Sequence, residues 1–158
     1  MRNGGTVHIK KAAIIGKGAV GLLYGSLIAR NIGPDAVEYV MDDDRLARHA
    51  EDALTINGRP CRIRTVGASI AAEEEPVDLL ILAIKATGLE QALVTMESCV
   101  GPQTRIISLL NGITSEEAIA QRFGWENTVL SVAQGMDAVF IDNALTYTHP
   151  GEIRLGPA

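Results

Sequence analysis

Four groups of residues in this chain have the types and spacing to do chemistry. Gly16-Lys17-Gly18-Ala19-Val20-Gly21 is a GxGxxG run that follows a short apolar strand and opens an amphipathic helix. In that context Gly16 permits a tight turn, Gly18 lets a pyrophosphate approach the backbone, and Gly21 lets helix and strand pack closely. The helix start offers unpaired N–H groups and a positive dipole end to phosphate oxygens. The run therefore predicts dinucleotide binding through residues 16 to 21. A second group, Asp42-Asp43-Asp44-Arg45, starts about 20 residues past Gly21, where an acidic side chain bonds the adenosine ribose hydroxyls. Asp42 would repel a 2′-phosphate and favour NAD(H), whereas Arg45 could reach that phosphate and favour NADP(H). Lys85, a cation directly after the apolar run DLLILAI, is the third. The last is Asn111, a donor and acceptor directly after TRIISLL.

The elements that must position these groups alternate between strand and helix. Ala12 to Ile15 reads as a strand. The helix after it carries Val20, Leu23, Leu27 and Ile28 at helical spacing and stops at Gly33-Pro34. Ala36 to Met41 is a second strand and Leu46 to Asp52 a short helix. Leu54 to Val66 alternates apolar and polar about Asn57-Gly58, which predicts a hairpin. Ala71 to Pro76 reads as an acidic loop or ragged helix whose charge run is a solvated face. Asp78 to Ile84 and Thr104 to Leu110 are apolar throughout, as strands buried on both faces should be. Gly88 to Val100 is a helix, Thr114-Ser115-Glu116-Glu117 a capping box for the next one, and Thr128 to Ala133 a further strand. AVFI, LTYTH and EIRLG then read as antiparallel strands added at a sheet edge. The expected fold is α/β: a Rossmann-type, doubly wound, mostly parallel sheet with extra antiparallel edge strands at the C-terminal end. Ligands of such sheets lie at the carboxyl ends of the strands, which is where all four groups fall.

Composition narrows the classes. A net charge of −5 argues against broad phosphate neutralisation, and 4% aromatics against base stacking, so no nucleic-acid partner is expected. No apolar run approaches the ~20 residues of a membrane span. The polar leader, residues 1 to 10, has no signal-peptide core, so a cytoplasmic location is expected, with one nucleotide-binding domain over residues 11 to 158. Cys61 and Cys99 stand apart and read as buried structural thiols; no metal site is expected. Trp125 reads as a packing residue and His149 as a turn residue. Gln134, Met136 and Asp137 follow a strand's carboxyl end without an assigned role.

GKGAVG, IKATGLEQAL, SLLNGITSEEAI and THPGEIRLGPA, in this order and spacing, make the chain similar to the N-terminal domain of the ketopantoate reductase (2-dehydropantoate 2-reductase) family. The resemblance implies hydride transfer from NAD(P)H to a 2-keto acid, ketopantoate, in pantothenate biosynthesis. It implies that Lys85 and Asn111 line the cofactor–substrate cleft, that Asn111 serves both ribose and substrate, and that Ala138 is the small residue near the nicotinamide. A homodimer is possible by the same resemblance. Two departures stand out. Asp42 occupies the place where the family usually has an arginine for the 2′-phosphate. The family's helical domain, with its general-acid lysine, is missing from these residues, so the expectation is an isolated or truncated cofactor domain with Lys85 as its sole catalytic candidate. Two alternatives remain. One is another keto or hydroxy acid dehydrogenase. The other is a nucleotide-sensing regulatory module like the gating domains of potassium transporters, in which IKATGLEQAL and LLNGITSEEAI have no place.

Overall fold

The computed structural model describes residues 8–111 and 114–156. Its centre is β1 (Ala12–Ile15), a strand buried along its whole length. Alternate residues of β1 face opposite layers: Ala12 and Ile14 join one core cluster, Ala13 and Ile15 the other. That two-sided burial is why the strand is apolar throughout rather than alternating. α1 (Ala19–Asn31) covers the first face, packing Leu22 and Leu23 against Tyr39 of β2 (Val37–Met41). α4 (Leu89–Met96) and α5 (Thr114–Phe123) cover the other, bringing Leu93, Met96 and Ile119 against Leu80 and Ile106. Those two belong to β6 (Leu79–Leu82) and β7 (Arg105–Ser108). Burial of each such Leu or Ile contributes about 1.5–3 kcal/mol.

The main sheet has seven strands in the order β11-β8-β7-β6-β1-β2-β5, where β5 is Arg64–Gly67, β8 Thr128–Met136 and β11 Pro150–Gly156. All its pairings are parallel except β11 with β8. The expected doubly wound architecture with an antiparallel C-terminal edge is therefore present.

Four local expectations are corrected. The hairpin about Asn57-Gly58 is only β3 (Thr55–Ile56) and β4 (Arg59–Pro60); the end of the stretch, Arg64 to Val66, belongs instead to β5, which pairs parallel with β2. Period-two alternation cannot reveal which partner a half-buried strand takes. Next, AVFI and LTYTH do not extend the main sheet. They form β9 (Val139–Ile141) and β10 (Ala144–Thr146), which complete a second sheet of order β4-β3-β10-β9. Third, the short helix expected at Leu46 to Asp52 begins earlier, as α2 (Asp43–His49). Fourth, the acidic run after α3 (Ala68–Ala71) is not merely solvated. Glu74 forms ion pairs with Lys11 and Arg64, and both cations also meet the buried Glu38. The capping box at Thr114 borders Gly112 and Ile113, which lie outside the described residues, as does the leader up to residue 7.

Candidate functional site

Gly16 turns the chain at the carboxyl end of β1 with φ +115, a value L side chains rarely adopt, and a Cβ there would stand 2.1 Å from the Ala83 carbonyl oxygen. Gly21 sits one turn into α1, and a Cβ on it would stand 1.8 Å from the Gly16 carbonyl oxygen. Helix and turn are thus in backbone contact. Gly18 differs: it is the N-cap of α1, and a Cβ built on it meets nothing within 4 Å. The space beside Gly18 is open, next to amide groups that α1 leaves without intrahelical partners. That is the geometry a pyrophosphate needs, so the residues present fit the phosphates of a dinucleotide.

Asp42 closes β2 and caps α2, its Oδ1 accepting the Arg45 N–H at 2.8 Å. This bond explains why α2 starts early: Asp42 satisfies one of the four unpaired donors, and Asp43 and Asp44 face the positive helix end. The cap fixes the carboxylate at the rim of a cleft of about 640 Å³ that runs over the carboxyl ends of β6, β1 and β2. Of the residues singled out in the sequence, this cleft gathers Gly16, Lys17, Gly18, Ala19, Val20, Asp42, Arg45 and Lys85. A second, more open hollow of about 580 Å³ shares Asp42, Arg45 and Gln91 with it and adds Asp43, Asp44 and Arg48.

Three expected site residues are not in the cleft lining. Gly21 lies beneath the turn for the packing reason given above. Asn111 is exposed at the end of β7, and Ala138 follows β8, further along the sheet from β1 on the same edge. The cleft meets that side at Leu109, past β7, and at Phe140, two residues beyond Ala138. Lys85, directly past β6, is exposed and bonds no side chain among the described residues. Gln134 donates to Glu152 at 2.7 Å. Asp137 accepts the backbone N–H groups of Thr148 and His149, together with the Thr148 hydroxyl, and these hold its carboxyl well below the usual range. Those bonds make His149 part of a turn that ties β8 to β11, while Trp125 is half exposed rather than packed away. Cys99 is buried, which pushes its thiol up to about 11, whereas Cys61 is only partly buried.

Sequence reasoning passed over several lining residues. Gln91 and Thr95 of α4 face the cleft one turn apart, and their i,i+4 spacing was a readable signal. Phe140 and Asn143 reach it from the second sheet, which no local pattern announced. Also missed was a buried chain of hydroxyls behind Asn111. Ser108 donates to Ser115 at 2.8 Å, and Ser115 donates to Glu116 at 2.7 Å. Ser131 completes it by donating to the Ser108 carbonyl at 2.6 Å.

A parallel sheet with a glycine turn into its first helix, an acidic cap closing the second strand and a cleft across the strand ends define a Rossmann-type nucleotide-binding domain. Sequence comparison narrows the class: the chain belongs to the ketopantoate reductase PanE/ApbA family, whose model matches residues 12–158. It is 32% identical over 111 residues to a 2-dehydropantoate 2-reductase of Pyrococcus abyssi, covering 70% of this chain and 36% of that protein. With the 2-dehydropantoate 2-reductase of Streptococcus pyogenes serotype M1 it shares 28% over 122 residues, 75% of this chain and 39% of that one. A solved D-mandelate dehydrogenase in complex with NADH superposes with a TM-score of 0.74 at 26% identity, over 92% of this chain and 46% of that one. The chain thus spans well under half the length of the curated relatives it matches.

Proposed function

We propose that these residues are the cofactor-binding half of an oxidoreductase that reduces a 2-keto acid, ketopantoate, to its 2-hydroxy acid with NAD(P)H. The observation that carries the reading is the open space beside Gly18, at the start of α1 and inside the cleft rimmed by Asp42 and Lys85. Gly18 and the first amides of α1 would take the pyrophosphate, and Asp42 the adenosine ribose. Asn111 and Ala138 lie along the strand ends toward which the nicotinamide half would extend. The bound dinucleotide supplies the hydride. Lys85 would present a cation to a ribose or to the substrate carboxylate, and Asn111 a donor and an acceptor to the same groups. Stabilising the developing alkoxide needs a positioned acid in a water-poor site.

Asp42 favours NAD(H) over NADP(H). A carboxylate about 4 Å from a phosphate charge is repelled by roughly 4 kcal/mol at an effective dielectric of ~20, before screening reduces it. Asp42→Asn keeps an acceptor for the Arg45 N–H and so keeps the cap. Calorimetric titration at one salt concentration should show tighter NADH than NADPH binding for the natural chain, and a shift toward NADPH in Asp42→Asn. A chain that binds neither cofactor overturns the functional reading. Tighter NADPH binding by the natural chain overturns only the preference.

A second reading, reduction or oxidation of a different 2-hydroxy acid pair, has the likeness to the NADH-bound D-mandelate dehydrogenase behind it. The cofactor half is common to both readings, and competing keto acids in a turnover assay of the longer relatives' kind separate them.

A further inference from the structure

Lys17 is a cation held by neutral groups. It stands in the glycine turn after β1, but its side chain reaches past β2 and donates to Thr65 Oγ1 on β5 at 3.0 Å. The ammonium lies 5.5 Å from the centroid of the Tyr39 ring. Among the described residues no carboxylate is within ion-pair distance of it. Asp52 acts on it only from further away and is itself bonded to His49 at 2.8 Å. Burial consequently holds the Lys17 pKa below the usual lysine value. A cation partly withdrawn from water and left unpaired favours the arrival of an anion.

The position of the charge says which anion. Thr65 and the Tyr39 ring hold the ammonium on the β2–β5 side of the turn, whereas α1 starts at Gly18, directly after β1. On the proposed reading the β2 side is where Asp42 would meet the adenosine ribose, and the adjoining hollow carries Arg45 and Arg48 beside Asp43 and Asp44. We propose that Lys17 is a coenzyme-specificity residue: it supplies positive charge to an adenosine 2′-phosphate and so moderates the exclusion of NADP(H) by Asp42. This rests on the reading of the cleft as a nicotinamide dinucleotide site. Thr65 is then a positioning residue, which aims the ammonium without touching the ligand.

The test is titration of the chain, Lys17→Met and Thr65→Val with NADH and NADPH at low and high salt, each variant first shown to melt cooperatively. Lys17→Met should move the ratio of NADPH to NADH dissociation constants about tenfold further toward NADH, equivalent to ~1.4 kcal/mol. The NADPH affinity of that variant should also depend less on salt. Thr65→Val should move the ratio in the same direction by less, because the charge remains, and Lys17→Arg should restore it. An unchanged ratio in Lys17→Met overturns the proposal. So does an equal loss for both cofactors, which would place the charge on the pyrophosphate. If the natural chain binds neither cofactor, the reading of the cleft itself falls. That outcome is distinct from binding with an unmoved ratio.

Discussion

Three glycines of one motif have three different physical reasons to be glycine, and substitution should separate them. Gly18→Val meets open space at an ordinary φ of −90, so the variant should fold, at a cost of about 1 kcal/mol for a poorer N-cap. Its side chain would nevertheless fill the space proposed for the pyrophosphate. A melting curve close to that of the natural chain, with no heat of NADH binding, is the expected result; undiminished binding would remove the phosphates from this turn. Gly21→Ala should do the reverse. Its Cβ is directed at the Gly16 carbonyl, and overpacking of that kind costs about 1–3 kcal/mol or more. This much was legible in the sequence, because strand, glycine spacing and helix are adjacent in the chain. The direction of the Lys17 side chain was not, since Thr65 and Tyr39 come from strands that are neighbours only in the folded sheet. Asp42 was legible as an acid at the end of a strand but not as a cap, because the reading placed the next helix three residues too late.

Between elements, two side-chain networks that no motif announced hold the frame of the site. At the amino ends of β1, β2 and β5, Lys11 and Arg64 each bridge Glu38 and Glu74. Hydrogen bonds from Lys11 and Arg64 hold the Glu74 carboxyl down to about 2, from an ordinary value of 4.5. A carboxyl lowered on folding adds stability above its unfolded pKa and loses it as pH falls toward the folded value. Glu74→Gln should therefore destabilise the domain at neutral pH, with the difference shrinking between about pH 4.5 and pH 2 in acid-unfolding curves. Glu74 is partly exposed, so added salt should diminish the effect. A difference independent of pH would assign the loss to packing. Behind Asn111, the Ser108–Ser115–Glu116 chain joins the end of β7 to the first turn of α5. All three residues are buried. Ser115→Ala leaves Glu116 without this hydroxyl donor, which should cost about 1–3 kcal/mol and lower the melting temperature. Glu116→Gln, which keeps an acceptor, should cost less. If the two variants melt alike, the hydroxyl relay is not what holds α5 to β7.

For the molecule as a whole, the doubly wound, mostly parallel architecture followed from the alternation of buried strands and helices, whereas the β5 edge and the second sheet did not. Thr55–Ile56 and Ala144–Thr146 pair in parallel although most of the chain separates them, and a single sequence carries no signal for such a pairing. At this scale the functional expectation is that the 158 residues bind reduced cofactor but do not turn over ketopantoate. Lys85 is the candidate acid at the cleft, and it stands exposed, where water competes for any alkoxide. Loss of substrate positioning alone can be worth ~7–11 kcal/mol. Nicotinamide absorbance should stay constant when ketopantoate is added to the cofactor-loaded chain; oxidation that disappears in Lys85→Ala would show that the acid is present after all. The second sheet has a further consequence, for the timing of folding. Its parallel β3–β10 ladder closes a very long loop, so the loop-closure entropy falls due only when most of the chain is in place. The main sheet can gather from contacts closer in sequence, which makes this small sheet a late arrival. Leu145, fully buried in it, should then behave as a latch. Truncating it to alanine should hasten unfolding far more than it slows refolding. The first part of the fold to open under stress would be the β9–β10 clasp that brings Phe140 and Asn143 to the cleft.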